Sequence, residues 1–266
     1  MTLSPTPVPP DDIGRDDHAM AAWLATVAGA ELLRVRESGL EGRALKDAGD
    51  LRSHELMMEL LSAHRPGDAV LSEEGKDDAA RLTSTRVWIV DPVDGTREFS
   101  EPPRDDWAVH VALWADGDLA AGAVAQPGLG QTFHTGTPSV VPPRSSPRPR
   151  IAVSRSRPPA FVQALAEHIG ADLVPMGSAG AKVISVVRDV SDAYVHAGGQ
   201  YEWDSAAPVA VARAAGLHTS RADGAPLQYN RADPMLPDLL VCRPELADTI
   251  TAFVAAQWAV EQGSSR

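Results

Sequence analysis

Apolar residues near the start of the chain recur with helical spacing. Between Asp17 and Val35, Trp23, Leu24, Val27, Leu32 and Leu33 fall on one side of a helical repeat, which predicts a helix there. A second helix is predicted over Leu51–His64. Leu56, Met57, Leu60 and Leu61 form its buried side, and Pro66-Gly67 ends it. The period then changes. Ala69–Leu71 and Val87–Val90 are short apolar runs, as in buried strands, and each leads straight into acidic residues. Val109–Trp114 and Leu119–Ala125 flank Asp116-Gly117, a hairpin signal, and Gln131–His134 adds a further strand. This meander predicts an antiparallel sheet.

The second half alternates. Strands are predicted at Ile151–Val153, Leu173–Pro175, Ala193–His196 and Leu239–Cys242. Helices are predicted at Pro159–Ile169, Ala179–Arg188, from Trp203-Asp204 through Ala215, and at Leu246–Gln262. Such alternation argues for a layered α/β fold. Residues 142–150 are rich in Pro, Ser and Arg without apolar period. They are expected to connect an α+β half, residues 13–141, to an α/β half, residues 151–266. Residues 1–12 are expected to form a disordered tail.

Charge narrows the function. The net charge of −12 comes with no basic stripe, which argues against nucleic-acid polymers and anionic membranes as partners. A small phosphorylated ligand remains compatible, because a bound cation reverses the local field. The single cysteine, Cys242, excludes an intrachain disulfide framework and a cysteine-rich zinc site. No apolar run reaches the roughly 18 residues of a membrane span. The first residues also lack the pattern of a secretory signal. A cytoplasmic protein is expected.

The sharpest local feature is Asp91-Pro92-Val93-Asp94-Gly95-Thr96, directly after Val87–Val90. Asp-Pro and Asp-Gly both favour turns for backbone reasons alone. A turn there also lets Asp91 and Asp94 converge and points the Val93 carbonyl inward. An all-oxygen set of this kind suits a hard cation such as Mg²⁺. Gly95 and Thr96 would open a short helix whose free N–H groups suit phosphate. An EF-hand does not fit: counted from Asp91, Gly95 comes one place early and the twelfth residue is Pro102. Further acids stand at predicted element ends. Glu73 follows Ala69–Leu71, Asp204 opens a helix, and Asp50 directly precedes one. Either of the last two could simply cap its helix.

The chain resembles the inositol monophosphatase-like superfamily of magnesium-dependent, lithium-sensitive phosphatases. The matching segments are LSEEG at 71–75, WIVDPVDGTREF at 88–99, GSAGAKVISVVRDVSDAYVH at 177–196 and WDSAAPVAVARAAG at 203–216. The resemblance implies an αβαβα sandwich with the site between two halves. It implies two to three Mg²⁺ ions: one on Glu73, Asp91 and the Val93 carbonyl, a second on Asp91, Asp94 and Asp204, and a weaker one on Asp50 with Glu73. Glu73, Thr96 and Asp50 would orient and deprotonate the attacking water, and Gly95 and Thr96 would hold the phosphate. Cys242 and the eight histidines then need no catalytic role. The family usually has a threonine shortly before the acid at Asp50. Here the stretch is Lys46-Asp47-Ala48-Gly49-Asp50, so Asp47 also comes into question. Homodimers are frequent among members, so the resemblance extends to a homodimer.

Within the superfamily the chain is most similar to the 3′-phosphoadenosine 5′-phosphate phosphatases of sulfate assimilation. DPVDGTREF, Ser178 with Lys182, and Pro226-Leu227-Gln228-Tyr229-Asn230 carry that likeness. Inositol-specific members place a glutamate several residues before the Trp-Asp pair, where this chain has Val195-His196-Ala197-Gly198. His196 would approach a ribose, a base or a second phosphate, or be a hydrogen-bonded residue at a strand end. Lys182, Arg97 and Arg104 are candidate cations for a second phosphate. Inositol 1-phosphate and fructose 1,6-bisphosphate stay open as substrates. A non-catalytic metal-binding protein of the same fold would have lost at least one of Glu73, Asp91, Asp94, Thr96 and Asp204, and all are present.

Overall fold

The computed structural model of the protein describes residues 8–11, 13–156 and 158–264, with side chains to residue 259. Most of the expected tail, residues 1–12, lies outside them. Two helices come first, α1 (Asp17–Arg36) and α2 (Gly42–His64). A sheet follows, with strands β1 (Ala69–Ser72), β2 (Arg86–Asp94), β3 (Ala108–Ala115), β4 (Asp118–Gln126) and β5 (Gln131–His134) side by side in that order. β1 is parallel to β2, and the other neighbours are antiparallel. A four-residue helix, α3 (Thr96–Phe99), follows β2. Asp116 and Gly117 both have positive φ, as the tight β3–β4 hairpin requires.

Residues 138–149 form neither helix nor strand. The second half holds β6 (Arg150–Ser154), α4 (Ala160–Ile169), β7 (Asp172–Met176), α5 (Ala179–Val187), β8 (Ala193–Tyr201), α6 (Glu202–Ala214), β9 (His218–Ser220), β10 (Met235–Cys242) and α7 (Ala247–Ser264). Its sheet has the order β7-β6-β8-β10-β9. β6 is parallel to β7 and β8, and β10 is antiparallel to β8 and β9.

Strand alternation builds the layers. Trp88 and Val90 face one way and pack with Leu24, Val27, Met57 and Leu61 of α1 and α2. Val87 and Ile89 face the other way, onto Val183 and Ile184 of α5 and Val209 of α6. Leu239 and Val241 of β10 close that core from the second sheet. Their neighbours Leu240 and Cys242 pack outward on Leu165 of α4 and Ile250 of α7. The order is α1/α2, sheet, α5/α6, sheet, α4/α7, the αβαβα sandwich expected. Among the described residues no helix is long and apolar enough to cross a membrane.

Four sequence-based expectations are corrected. α2 begins at Gly42, not Leu51. Its first turns bury only Leu45 and Gly49, too few apolar positions to show a period. β2 does not stop at Val90 but runs through Asp94. α6 begins at Glu202, which puts Pro208 inside the helix, where it deprives the Asp204 carbonyl of a helical N–H. The three-residue β9 was not anticipated.

One buried link braces the site. Arg81, 1 % exposed, donates to both oxygens of Asp77, to Asn230 Oδ1 at 2.8 Å and to the Arg231 carbonyl at 2.8 Å. Glu202 accepts the Asn230 and Arg231 amides at 2.7 and 2.8 Å. The segment after β1, which bears Glu73, is thereby tied to the start of α6, which bears Asp204.

Candidate active site

Residues three apart on a regular strand face opposite sides. Asp91 and Asp94 do not. On β2 Asp91 lies opposite His110 of β3, and Asp94 opposite Ala108. Three steps on β2 therefore match two on β3, which is a bulge. The extra residue turns both aspartates to one side, where Asp204 meets them. Carboxylate oxygens of Asp91, Asp94 and Asp204 lie within 4.8 Å of one another and can hold a metal ion. Asp91 Oδ1 also accepts the Val93 amide at 3.0 Å, and Ser53 of α2 donates to the Pro92 carbonyl at 2.9 Å, so the bulge is fixed from both sides.

The acids crowd one another. Burial and the charges of Glu73, Asp94 and Asp204 hold the Asp91 carboxyl well above its usual range. Burial and the charges of Asp204, Asp94 and Glu74 raise Glu73 to about 7, although it shares a hydrogen bond with Asp91. Burial, then Asp94, raises Asp204 to about 6. Carboxylates this close cannot all ionise without a counter-ion. The donors are all oxygens, so the set fits a hard cation.

Asp94 is different. Burial raises its pKa, but its donors outweigh burial and hold it at about 2. His110 Nε2 lies 3.1 Å from Oδ2, Ser178 Oγ donates at 2.5 Å, and the Gly180 amide at 2.6 Å. The Ala179 amide reaches Oδ1 at 3.1 Å. Asp94 thus sits on the free N–H groups at the start of α5. His110 is wholly buried, with Nδ1 on the Trp203 carbonyl at 3.0 Å. Burial opposes its charge, but Asp94 and that carbonyl raise its pKa. A Cβ at Gly180 would stand 2.0 Å from His110 Nε2. Gly180→Ala is therefore expected to destabilise the fold by about 1–3 kcal/mol, as overpacking does, and to weaken metal-dependent activity. Urea unfolding and metal titration check this; wild-type behaviour in both would show that the His110–Asp94 contact can be lost freely.

Asp94 and Asp204 line a cleft of about 790 Å³ between the halves. Its walls include Gly95, Arg97, Arg155, Ser178, Lys182 and His196. This size is usual for a small-molecule site.

An inositol monophosphatase family model matches residues 18–259. The chain belongs to the inositol monophosphatase family. It is 50 % identical to a 3′-phosphoadenosine 5′-phosphate phosphatase of Mycobacterium tuberculosis, over 87 % of this chain and 90 % of that one. The corresponding phosphatase of Mycobacterium leprae is 48 % identical, with 91 % and 94 % covered. Among solved structures, CysQ of Bacteroides thetaiotaomicron superposes with a TM-score of 0.75 at 27 % identity, over 84 % of this chain and 96 % of that one.

With the family fixed, each residue singled out from the sequence can be placed. Asp91, Asp94 and Asp204 converge, and Glu73 joins through Asp91. Thr96 Oγ1 donates to the Val93 carbonyl at 3.2 Å and lies 3.5 Å from Asp50 Oδ1. Asp50 sits mid-helix, so it caps nothing. Burial and Glu74 raise its carboxyl to about 6. Asp47 faces outward, 66 % exposed and paired with Arg43, so of the two Asp50 is the one that reaches Thr96. Asp204 does cap, but from the third helical position: it accepts the Tyr201 amide at 2.6 Å while facing Asp91 and Asp94.

The substrate-side residues divide. Ser178 and Lys182 line the cleft but are engaged by the protein, Ser178 on Asp94 and Lys182 Nζ on the carbonyls of Gly177 and Ser178. His196 lines the cleft with both ring nitrogens bonded, to Tyr194 Oη and the Gly199 carbonyl. Tyr229 is a correction. It is 6 % exposed, packs in the central core and meets Ser205 Oγ at 3.2 Å, so it presents nothing to the cleft. Arg104 is paired with Asp106 and is not among the cleft residues, whereas Arg97 borders it, half-exposed. Sequence reasoning missed His110, which it set aside with the other histidines, and Arg155, held in the cleft by Glu98 at 2.6 Å and Glu101 at 2.7 Å. The pairing of β3 with the aspartate strand was the only signal for His110, and it required the register.

Proposed function

We propose that this protein hydrolyses 3′-phosphoadenosine 5′-phosphate to AMP and phosphate, with Mg²⁺ as its cofactor. The Asp91–Asp94–Asp204 cluster at the cleft carries the reaction class. The half-identity to phosphatases of that nucleotide supports the substrate. Glu73, Asp91, Asp94, Asp204 and the Val93 carbonyl would hold two ions, and Asp50 a weaker third. Bound there, Mg²⁺ would neutralise phosphoryl and leaving-group charge and favour ionisation of an attacking water.

The protein's own groups supply the rest. Glu73, beside Asp91, would orient the attacking water and accept its proton. The Thr96 hydroxyl donates a hydrogen bond to the Val93 carbonyl, which leaves a lone pair on its oxygen to orient a water. Gly95, at φ 85°, turns the chain into α3, and its own N–H and that of Thr96 would receive the incoming phosphate. Asp94, locked by α5 and His110, keeps its charge and its place throughout.

Phosphate release in Mg²⁺, with and without Li⁺, tests the reading on 3′-phosphoadenosine 5′-phosphate, inositol 1-phosphate and fructose 1,6-bisphosphate. The nucleotide is expected to have the highest kcat/KM, with activity lost in Li⁺. Preference for either of the others would discard the substrate, and no turnover of any would leave a metal-binding protein without catalysis.

A further inference from the structure

One side of the cleft has a feature that phosphate chemistry does not use. Tyr201, at the end of β8, lines the cleft and is 47 % exposed. Among the described residues that line the cleft, it is the one exposed aromatic ring. The Trp203 indole covers one of its faces, with centroids 4.6 Å apart and planes at 11°. Met235, 51 % exposed, stands directly across from it on β10 and borders the same cleft. Before Tyr201 come Gly198 and Gly199, both with positive φ. A Cβ at Gly198 would meet nothing within 4 Å, and one at Gly199 only Met235. The result is a flat apolar shelf with open space beside it. It is fixed to the metal cluster, because the Tyr201 amide bonds the Asp204 carboxylate.

An exposed aromatic ring beside an exposed thioether, both on the wall of the cleft, offers a bound ligand a flat apolar surface to pack on. An inositol or sugar phosphate offers only a small puckered patch of C–H groups between its hydroxyls. A nucleobase offers a whole flat face, and it stacks on aromatic rings whatever its edge pattern. We propose that the Tyr201 ring, backed by Trp203 and flanked by Met235, is the platform on which the substrate's base stacks. This rests on the nucleotide reading above. Tyr201 then determines specificity: it adds affinity for base-bearing phosphates without touching the reacting atoms.

The test compares wild type, Tyr201→Ala and Tyr201→Phe on 3′-phosphoadenosine 5′-phosphate and on ribose 3,5-bisphosphate, which lacks the base. Tyr201→Ala is expected to raise KM for the nucleotide about tenfold, the scale of one lost stacking contact, with kcat little changed. Its KM for the base-free substrate should move far less. Tyr201→Phe keeps the ring and should restore most of the loss. Equal effects of Tyr201→Ala on both substrates, or none on the nucleotide, would overturn the platform while leaving the nucleotide reading standing. A wild-type enzyme that hydrolyses no nucleotide would remove that reading, and the platform with it.

Discussion

Asp91→Asn is expected to lower kcat/KM by about a thousandfold or more while making the metal-free protein more stable at pH 8. The first effect follows from its place. Asp91 is the acid shared between Glu73 on one side and Asp94 and Asp204 on the other. An amide there removes the charge that draws in the cation, and metal stabilisation of phosphoryl charge is worth several kcal/mol, at about 1.4 kcal/mol per tenfold. The second effect follows from its environment. Asp91 is 1 % exposed among three other acids. In the unfolded chain it ionises near its ordinary value, about 3.9, so at pH 8 folding must either keep it protonated or bury a repelled charge. Asparagine has nearly the same shape, still accepts the Val93 amide and removes that penalty. Calorimetry of the metal-free protein should show Tm rising by about 2–4 °C per kcal/mol relieved. Mg²⁺ should no longer raise Tm in the variant. An active Asp91→Asn enzyme, or one whose metal-free form melts lower than wild type, would refute this metal assignment.

The Mg²⁺ concentration for half-maximal activity is expected to rise at least a hundredfold between pH 7.5 and pH 5.5, since each proton that must leave contributes up to a factor of ten per pH unit below its pKa, and Glu73 and Asp204 alone supply about that much. Burial and crowding raise Glu73 to about 7 and Asp50 and Asp204 to about 6, and hold Asp91 well above its ordinary range. In the unfolded chain the same carboxyls titrate at about 4. The folded, metal-free site therefore binds more protons than the unfolded chain above pH 4. Its contribution to stability is full below that pH and is lost as pH rises through 6 and 7. Asp94 has the opposite sign, because its pKa is depressed to about 2, and its window lies below pH 4. Mg²⁺ bound at these acids would reverse the loss by replacing the protons. The gain in Tm on adding Mg²⁺ should thus grow steadily from pH 5.5 to pH 8, with protons released on binding. A gain that is flat with pH, or no proton release, would place the metal elsewhere.

Both expectations depend on acids scattered over more than 150 positions in the sequence, and their gathering was only partly legible there. The chemistry of the donors was readable: four carboxylates and a carbonyl at the ends of apolar runs describe an oxygen site for a hard cation. So was the layering. The switch from helical to two-residue period marked α1 and the sheets, and alternation on β2 and β10 sent successive residues to different cores. The start of α2 was not readable, because a helix held by two buried positions in its first turns shows no period. That error carried Asp50 from mid-helix to a cap. Tyr229 looked like a substrate contact from its neighbours in sequence, and packing buried it.

The sequence by itself determined the layered α/β fold, the chemistry of the candidate metal-holding acids and, through its motifs, the family. These follow from local properties: the period of apolar residues, and side chains whose chemistry is the same wherever they stand. Only the tertiary structure decided how those acids differ from one another. The bulge in β2, His110 across from Asp91, and the amides of α5 give Asp94 a settled charge, while Glu73, Asp91 and Asp204 crowd and repel one another. The ionisation of a carboxylate depends on which donors and charges reach it through space, and that distance is set by register and packing that no single segment encodes.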